Sequence, residues 1–349
     1  MRAAPREFTR GVAWWSPDGA PVRADPSDRD RLPGDTWQRA GLPAGIRLEF
    51  TAHGVRAVEI TYTASAPSPP DAHRAGPPVF TLLAEPYGSL PVRTGEPGAG
   101  GGSPAEPLDT AATPPAPGRH ICSTQLQLPH QDGDFTLHLP ETLHPVVHDL
   151  RPLGGGTVEP AARRPRWLVH GDSITEGWSA SRPHLTWPAL AGRAMGLDTV
   201  NLGYAGAARG ELATAEQLAA LDADALTVAF GTNCWSRTPH SSGLLYETTL
   251  AFLRLVRRGH PRIPLLVVSP VLRPDAESVP NALGATLAEL RAAVERAALD
   301  AGSALLPGGG LLAPGLLVDG VHPGDAGHRA LADAVVSALP RGQSWAGQS

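Results

Sequence analysis

VHGDSITEGW, Val169–Trp178, sets a glycine, an aspartate and a serine directly behind a short apolar run, with helix-forming residues after them. The run begins as RWLV at residues 166–169. A few apolar residues cut off by glycine and polar groups read as a strand buried on both faces. The pattern returns as ALTVAF (225–230) and IPLLVVSPV (263–271), alternating with the helical stretches LLYETTLAFLRLVRR (244–258) and LGATLAELRAAVERAALDAG (283–302). Strand, helix, strand, helix predicts a parallel sheet covered by helices on both faces. Ligands of such sheets bind beyond the carboxyl ends of the strands. Ser173 follows the first run, Gly203 and Gly206 follow TVNL (199–202), Asn233 follows LTVAF and Pro270 follows LLVVS, so small and polar residues gather where chemistry is expected.

Upstream the apolar period is two. Ile46, Leu48 and Phe50 alternate with polar or outward positions, as do Val58, Ile60 and Tyr62, Leu126 and Leu128, and Phe135, Leu137 and Leu139. That is the pattern of half-buried strands. Residues 93–118 are too rich in Gly and Pro for a core element and read as a long, mobile loop. The expected organisation is an all-β, jelly-roll-like sandwich over residues 1–163, serving as an accessory or substrate-recognition domain, then an α/β domain over 164–349. The boundary falls near GGGTVEPAARR (154–164).

The chain has 349 residues and a net charge of −5, and its basic residues, all arginine, are scattered. A nucleic-acid partner needs a basic patch, so none is expected. No segment approaches the roughly 18 apolar residues of a membrane span, and the N-terminus lacks a secretory apolar core. The expectation is a soluble, cytoplasmic protein with no membrane partner. Cys122 and Cys234 are read as buried free thiols.

A serine hydroxyl is a weak nucleophile at neutral pH and needs a base, and the base needs an orienting group. His322 in VDGVHPGDAGH (318–328) answers the first need, and Asp319, three residues earlier in one turn-like segment, answers the second. Attack on a carbonyl also needs donors for the oxyanion. Gly206 and Ser173 offer backbone N–H groups, and Asn233 offers a side-chain amide.

GDSI (171–174), NLGYAG (201–206), GTN (231–233) and DGVHP (319–323) resemble, in order, the four consensus blocks of the GDSL, or SGNH, hydrolase superfamily. The resemblance covers residues from about 165 to 340. It implies a flavodoxin-like three-layer α/β/α domain with Ser173 as nucleophile, His322 as base, Asp319 as its partner, and Ser173, Gly206 and Asn233 as the oxyanion hole. Thr175 stands where the G-x-S-x-G elbow of α/β-hydrolases has its second glycine, which disfavours that fold.

Each residue also has a plainer reading. Ser173 alone reads as a helix cap, Asp172 as a loop brace, and Glu176 as a first-turn carboxylate at the positive end of a helix. His328 is the rival base but falls inside the last helix. His170 reads as a strand residue, and His184 and His240 as solvated loop residues. Trp178, Trp187 and Trp235 line a pocket or pack the core. Arg237 meets an anionic group or solvent.

The expected reaction is acyl transfer through a covalent Ser173 ester, with neither cofactor nor metal, since the histidines lack ligand spacing. The favoured expectation is an esterase removing O-acyl, for example acetyl, groups from a carbohydrate or small molecule. The alternatives are an acyltransferase of secondary metabolism, using an acyl thioester donor and a hydroxyl acceptor, and a binding protein without activity. Oligomeric state is left open.

Overall fold

The computed structural model describes residues 5–67, 77–85, 106–112 and 118–341. Its strands, in chain order, begin with β1 (Thr9–Arg10), β2 (Trp14–Trp15), β3 (Pro21–Val22), β4 (Arg47–His53), β5 (Ala57–Ser65) and β6 (Val79–Ala84). Next come β7 (Leu108–Ala111), β8 (Arg119–Gln127), β9 (Gly133–His138), β10 (Val146–Leu153) and β11 (Thr157–Pro160). The last are β12 (Arg166–Gly171), β13 (Asp198–Gly203), β14 (Ala225–Ala229), β15 (Leu265–Val268) and β16 (Ala304–Leu306). Two compact units divide the described residues at 10/11, 45/46 and 163/164.

The first unit is antiparallel throughout. One sheet runs β4, β9, β6, β7, with β1 and β11 both pairing to β4, and the other runs β10, β5, β8. From β4 to β6, and again from β7 to β11, successive strands alternate between the sheets, as in a jelly roll. The period-two residues point inward. Leu48, Phe50, Val58, Ile60, Phe135 and Leu137 are all buried, and Tyr62 of one sheet meets Phe80 of the other edge to face at 5.1 Å. The Gly/Pro-rich stretch expected to be all loop contains β7, a largely exposed strand paired to β6. An edge position asks little of a sequence's apolar pattern. Residues 93–105 and 113–117 of that stretch lie outside the described residues.

The second unit corrects the expected division. Residues 11–45 group with 164–341 and not with the sandwich that flanks them in sequence. The reason is burial: Ala24, Leu32 and Ala40 belong to the same apolar cluster as Leu168, Val200 and Leu218. The segment includes the β2–β3 ribbon and α2 (Gly34–Ala40); α1 (Pro5–Phe8) precedes β1.

The main sheet of this unit is parallel, in the order β13, β12, β14, β15, β16, the flavodoxin-like arrangement. Its helices are α3 (Ser173–Glu176), α4 (Trp187–Met195), α5 (Leu212–Ala220), α6 (Asn233–Ser236), α7 (Ser242–Gly259), α8 (Leu287–Asp300) and α9 (Asp325–Ala338). Residues of β12 alternate between two apolar clusters. Trp167 and Val169 pack with Trp187 and Leu190 of α4 and Leu331 and Val335 of α9, whereas Leu168 packs with Leu218, Phe252 and Val294 of α5, α7 and α8. A helical layer on each face results. Among the described residues no helix is long and apolar enough to cross a membrane.

Register fixes where the strands end. Gly171 of β12 is level with Gly203 of β13 on one side and with Ala229 of β14 on the other. Gly203 has no room for a side chain, because a Cβ there would stand 2.2 Å from the backbone nitrogen of Glu176. Replacing Gly203 with alanine should cost about 2–3 kcal/mol through overpacking. Thermal unfolding should then move down by roughly 5–10 °C; an unchanged midpoint would mean that β13 and α3 are not in contact.

Candidate active site

Chain direction changes sharply after β12. Asp172 is the N-cap of α3, its Oδ1 accepting from the Ile174 N–H at 3.0 Å, and Gly177 ends the single turn at φ +98°. The cap is therefore Asp172, which leaves the Ser173 hydroxyl for another partner. That partner is His322: Oγ lies 2.8 Å from Nε2.

His322 sits in the loop before α9, where the Val318 N–H donates to the His322 carbonyl at 2.8 Å and closes a tight turn. Within it Asp319 Oδ1 accepts from the N–H groups of Val321 (3.0 Å) and His322 (2.8 Å), and Oδ2 lies 2.7 Å from His322 Nδ1. Burial pushes the Asp319 carboxyl up, but the hydrogen bonds from the His322 ring and from the two backbone N–H groups outweigh it and hold the carboxyl below its usual value. An ionised Asp319 requires Nδ1 to carry the proton, which leaves Nε2 as the acceptor facing Ser173. The Trp178 ring lies beside the imidazole, centroids 5.7 Å apart.

Two further loops reach the same sheet edge. Counting from the level positions Gly171, Gly203 and Ala229, Ser173 lies two residues on, Gly206 three and Asn233 four. Gly206 adopts φ +75°, a conformation that glycine takes without strain. Asn233 opens α6, and its Nδ2 donates to the Ala207 carbonyl at 2.5 Å, joining the second loop to the third with one amide hydrogen to spare.

The carboxylate of Glu176 is fully buried, which its reading as a first-turn residue did not anticipate. Arg23 Nη2 and Arg39 Nε each stand 3.1 Å from Oε2, Arg39 Nη2 pairs with Oε1, and the Ala205 N–H donates to Oε2 at 3.2 Å. The same ion pair therefore ties the helix of Ser173 to the loop of Gly206. Both arginines come from residues 11–45, and nothing local to GDSITEG announces them.

Other sequence candidates fall into place as packing. His170 is fully buried, its pKa lowered by burial to about 4, and Nδ1 lies 3.1 Å from the Leu202 carbonyl. His328 is buried in α9 and accepts from the Trp187 N–H at 3.3 Å. His184 and His240, expected in solvent, are both buried because the turns that carry them fold inward. Trp187 packs against Trp167, and Trp235 bonds the Val279 carbonyl under the Arg273 guanidinium. Cys234 is buried, but Cys122 is half-buried in β8, whose outer face is open. Among the described residues no group of three His, Cys, Asp or Glu side chains is placed to hold a metal ion.

Comparison with known proteins fits this geometry. Residues 169–330 match the model of the GDSL-like Lipase/Acylhydrolase family. This part of the chain is similar to a GDSL-like lipase/acylhydrolase domain. Solved structures match beyond the GDSL domain. A salicylyl-acyltransferase from a tetracycline biosynthetic pathway is 23% identical at a TM-score of 0.77, over 96% of this chain and 95% of that one. A GDSL-like lipase from Bacteroides ovatus is 18% identical at 0.73, over 97% and 98%. A family two carbohydrate esterase from Clostridium thermocellum is 14% identical at 0.56, over 84% and 90%. At these identities the likeness is one of fold. A search of curated proteins by sequence gives no match.

Asp172 carries a pH dependence. Burial beside a small apolar pocket lined by Ile174, Trp187, Val268 and Leu331 raises its carboxyl to about 7. An aspartate in an unfolded chain ionises near pH 4, so the folded protein holds the proton more tightly. The resulting stabilisation is complete below about pH 4 and is lost as the pH rises through about 7. Asp172→Asn keeps a capping side chain, and its advantage over the parent in urea unfolding should grow between about pH 5 and pH 8. A constant difference would mean that Asp172 is ionised throughout.

Proposed function

We propose that the chain is a serine-dependent acyl-transfer enzyme that hydrolyses O-acyl esters, acetyl esters of a carbohydrate or other small molecule among them. The observation that carries this reading is the unbroken line from Ser173 Oγ through both nitrogens of His322 to Asp319. Ser173 attacks the ester carbonyl while His322 Nε2 takes its proton. Asp319 holds the imidazole tautomer and stabilises the imidazolium. Negative charge on the carbonyl oxygen is met by the N–H groups of Ser173 and Gly206 and by the Asn233 amide. The alcohol leaves with the proton from His322. Water then attacks the Ser173 ester under the same base and frees the acid.

Water access favours hydrolysis. The side chains of His322 and Asp319 are 17% and 46% exposed, so solvent reaches the base where the second attack occurs. Transfer to a hydroxyl acceptor from an acyl thioester is the second reading, favoured by the likeness to the salicylyl-acyltransferase along 96% of the chain.

Ser173→Ala and His322→Ala should each lower kcat/KM on 4-nitrophenyl acetate by about a thousandfold or more. Wild-type turnover in Ser173→Ala would end the proposal. Mass spectrometry of an acyl thioester incubated with and without candidate alcohols separates the two readings: free acid should dominate, and faster formation of an acylated alcohol would make the protein a transferase.

A further inference from the structure

Arg237 stands one helical turn beyond Asn233, its backbone N–H donating to the Asn233 carbonyl at 2.9 Å. Positions four apart share a helix face, so its side chain leaves α6 on the side that carries the Asn233 amide. The guanidinium lies over Gly206. Cζ, Nε and Nη2 are 3.8, 3.9 and 3.9 Å from the place where a Cβ on that glycine would be. Three nearly equal distances mean that the flat face of the group covers the glycine and that its N–H donors point sideways, along the sheet edge.

Neighbouring cations are neutralised. Arg209 is held by Asp35 and Glu211, Arg273 by Asp275, and Arg291 by Glu277. Arg237 is exposed, and among the described residues no carboxylate or carbonyl takes its guanidinium. A planar fork of donors in that state is suited to a carboxylate, which it binds in bidentate fashion.

We propose that Arg237 forms an anion subsite and that the substrate carries a carboxylate a few bonds from the reacting ester carbonyl. This rests on the reading of Ser173 as nucleophile and of Gly206 and Asn233 as donors, because those residues place the reacting carbonyl beside the guanidinium. The carboxylate belongs either to the acyl half, as in a short dicarboxylic half-ester, or to the alcohol half. Its pairing with Arg237 forms as the ester docks and leaves the acyl-transfer steps unchanged.

Matched esters test the idea. Mono-4-nitrophenyl glutarate against 4-nitrophenyl valerate places the charge on the acyl side; 3-acetoxybenzoate against 3-acetoxybenzamide places it on the alcohol side. For each pair the ratio of kcat/KM, charged over neutral, is compared among the parent, Arg237→Ala, Arg237→Lys and Arg237→Glu. On one pair the ratio should fall about tenfold in Arg237→Ala, fall less in Arg237→Lys and further in Arg237→Glu, and in the parent it should shrink with added salt. The pair that responds identifies the half carrying the carboxylate. Equal ratios in the parent and Arg237→Ala on both pairs would overturn the proposal, whether or not absolute rates change. If all four esters are inert with the parent, fluorophosphonate labelling of Ser173 tests the nucleophile reading, and calorimetric titration with glutarate decides the subsite. Weaker binding by Arg237→Ala supports it, and equal or absent binding by both proteins overturns it.

Discussion

The level ending of β12, β13 and β14 is the constraint on which the site depends. Parallel hydrogen bonding puts Gly171, Gly203 and Ala229 side by side, so the three loops that follow leave the sheet at one height and one edge. Each loop needs only a few residues to reach Ser173, Gly206 or Asn233. The fourth group arrives from the far end of the chain, in a turn that builds its own carboxylate–imidazole pair before it meets Ser173.

A second layer of interactions holds those loops in place. Asp172 accepts from the Ile174 N–H in the first turn of α3, and Glu176, at the other end of the same turn, is locked between Arg23 and Arg39 while accepting from Ala205. A buried ion pair of this kind adds little stability over an apolar replacement, yet losing one partner alone leaves a charge stranded in the interior. Its value here is positional. The helix of Ser173 and the loop of Gly206 cannot move apart without exposing the Glu176 carboxylate.

Much of this was legible in the sequence because the chemistry is local. GDSI, NLGYAG, GTN and DGVHP each follow an apolar run or occupy one turn, and their order predicts a flavodoxin-like sheet with the functional residues at its carboxyl edge. What sequence could not give depends on distant partners. Arg23 and Arg39 lie more than 130 residues from Glu176, in a segment whose neighbours on both sides read as sandwich, so the 11–45 excursion and the burial of Glu176 were both hidden. His184 and His240 sit in polar turns that look solvated until the surrounding packing is known. β7 was missed because an edge strand can form from residues with little apolar periodicity.

If His322 makes the Ser173 hydroxyl nucleophilic, a fluorophosphonate probe reports that property without any choice of substrate. Intact mass followed by peptide mapping should find a single adduct, on the peptide containing Ser173, with labelling slowed at least a hundredfold in His322→Ala. An adduct on another serine, or labelling of Ser173 at the parent rate without His322, would contradict the account.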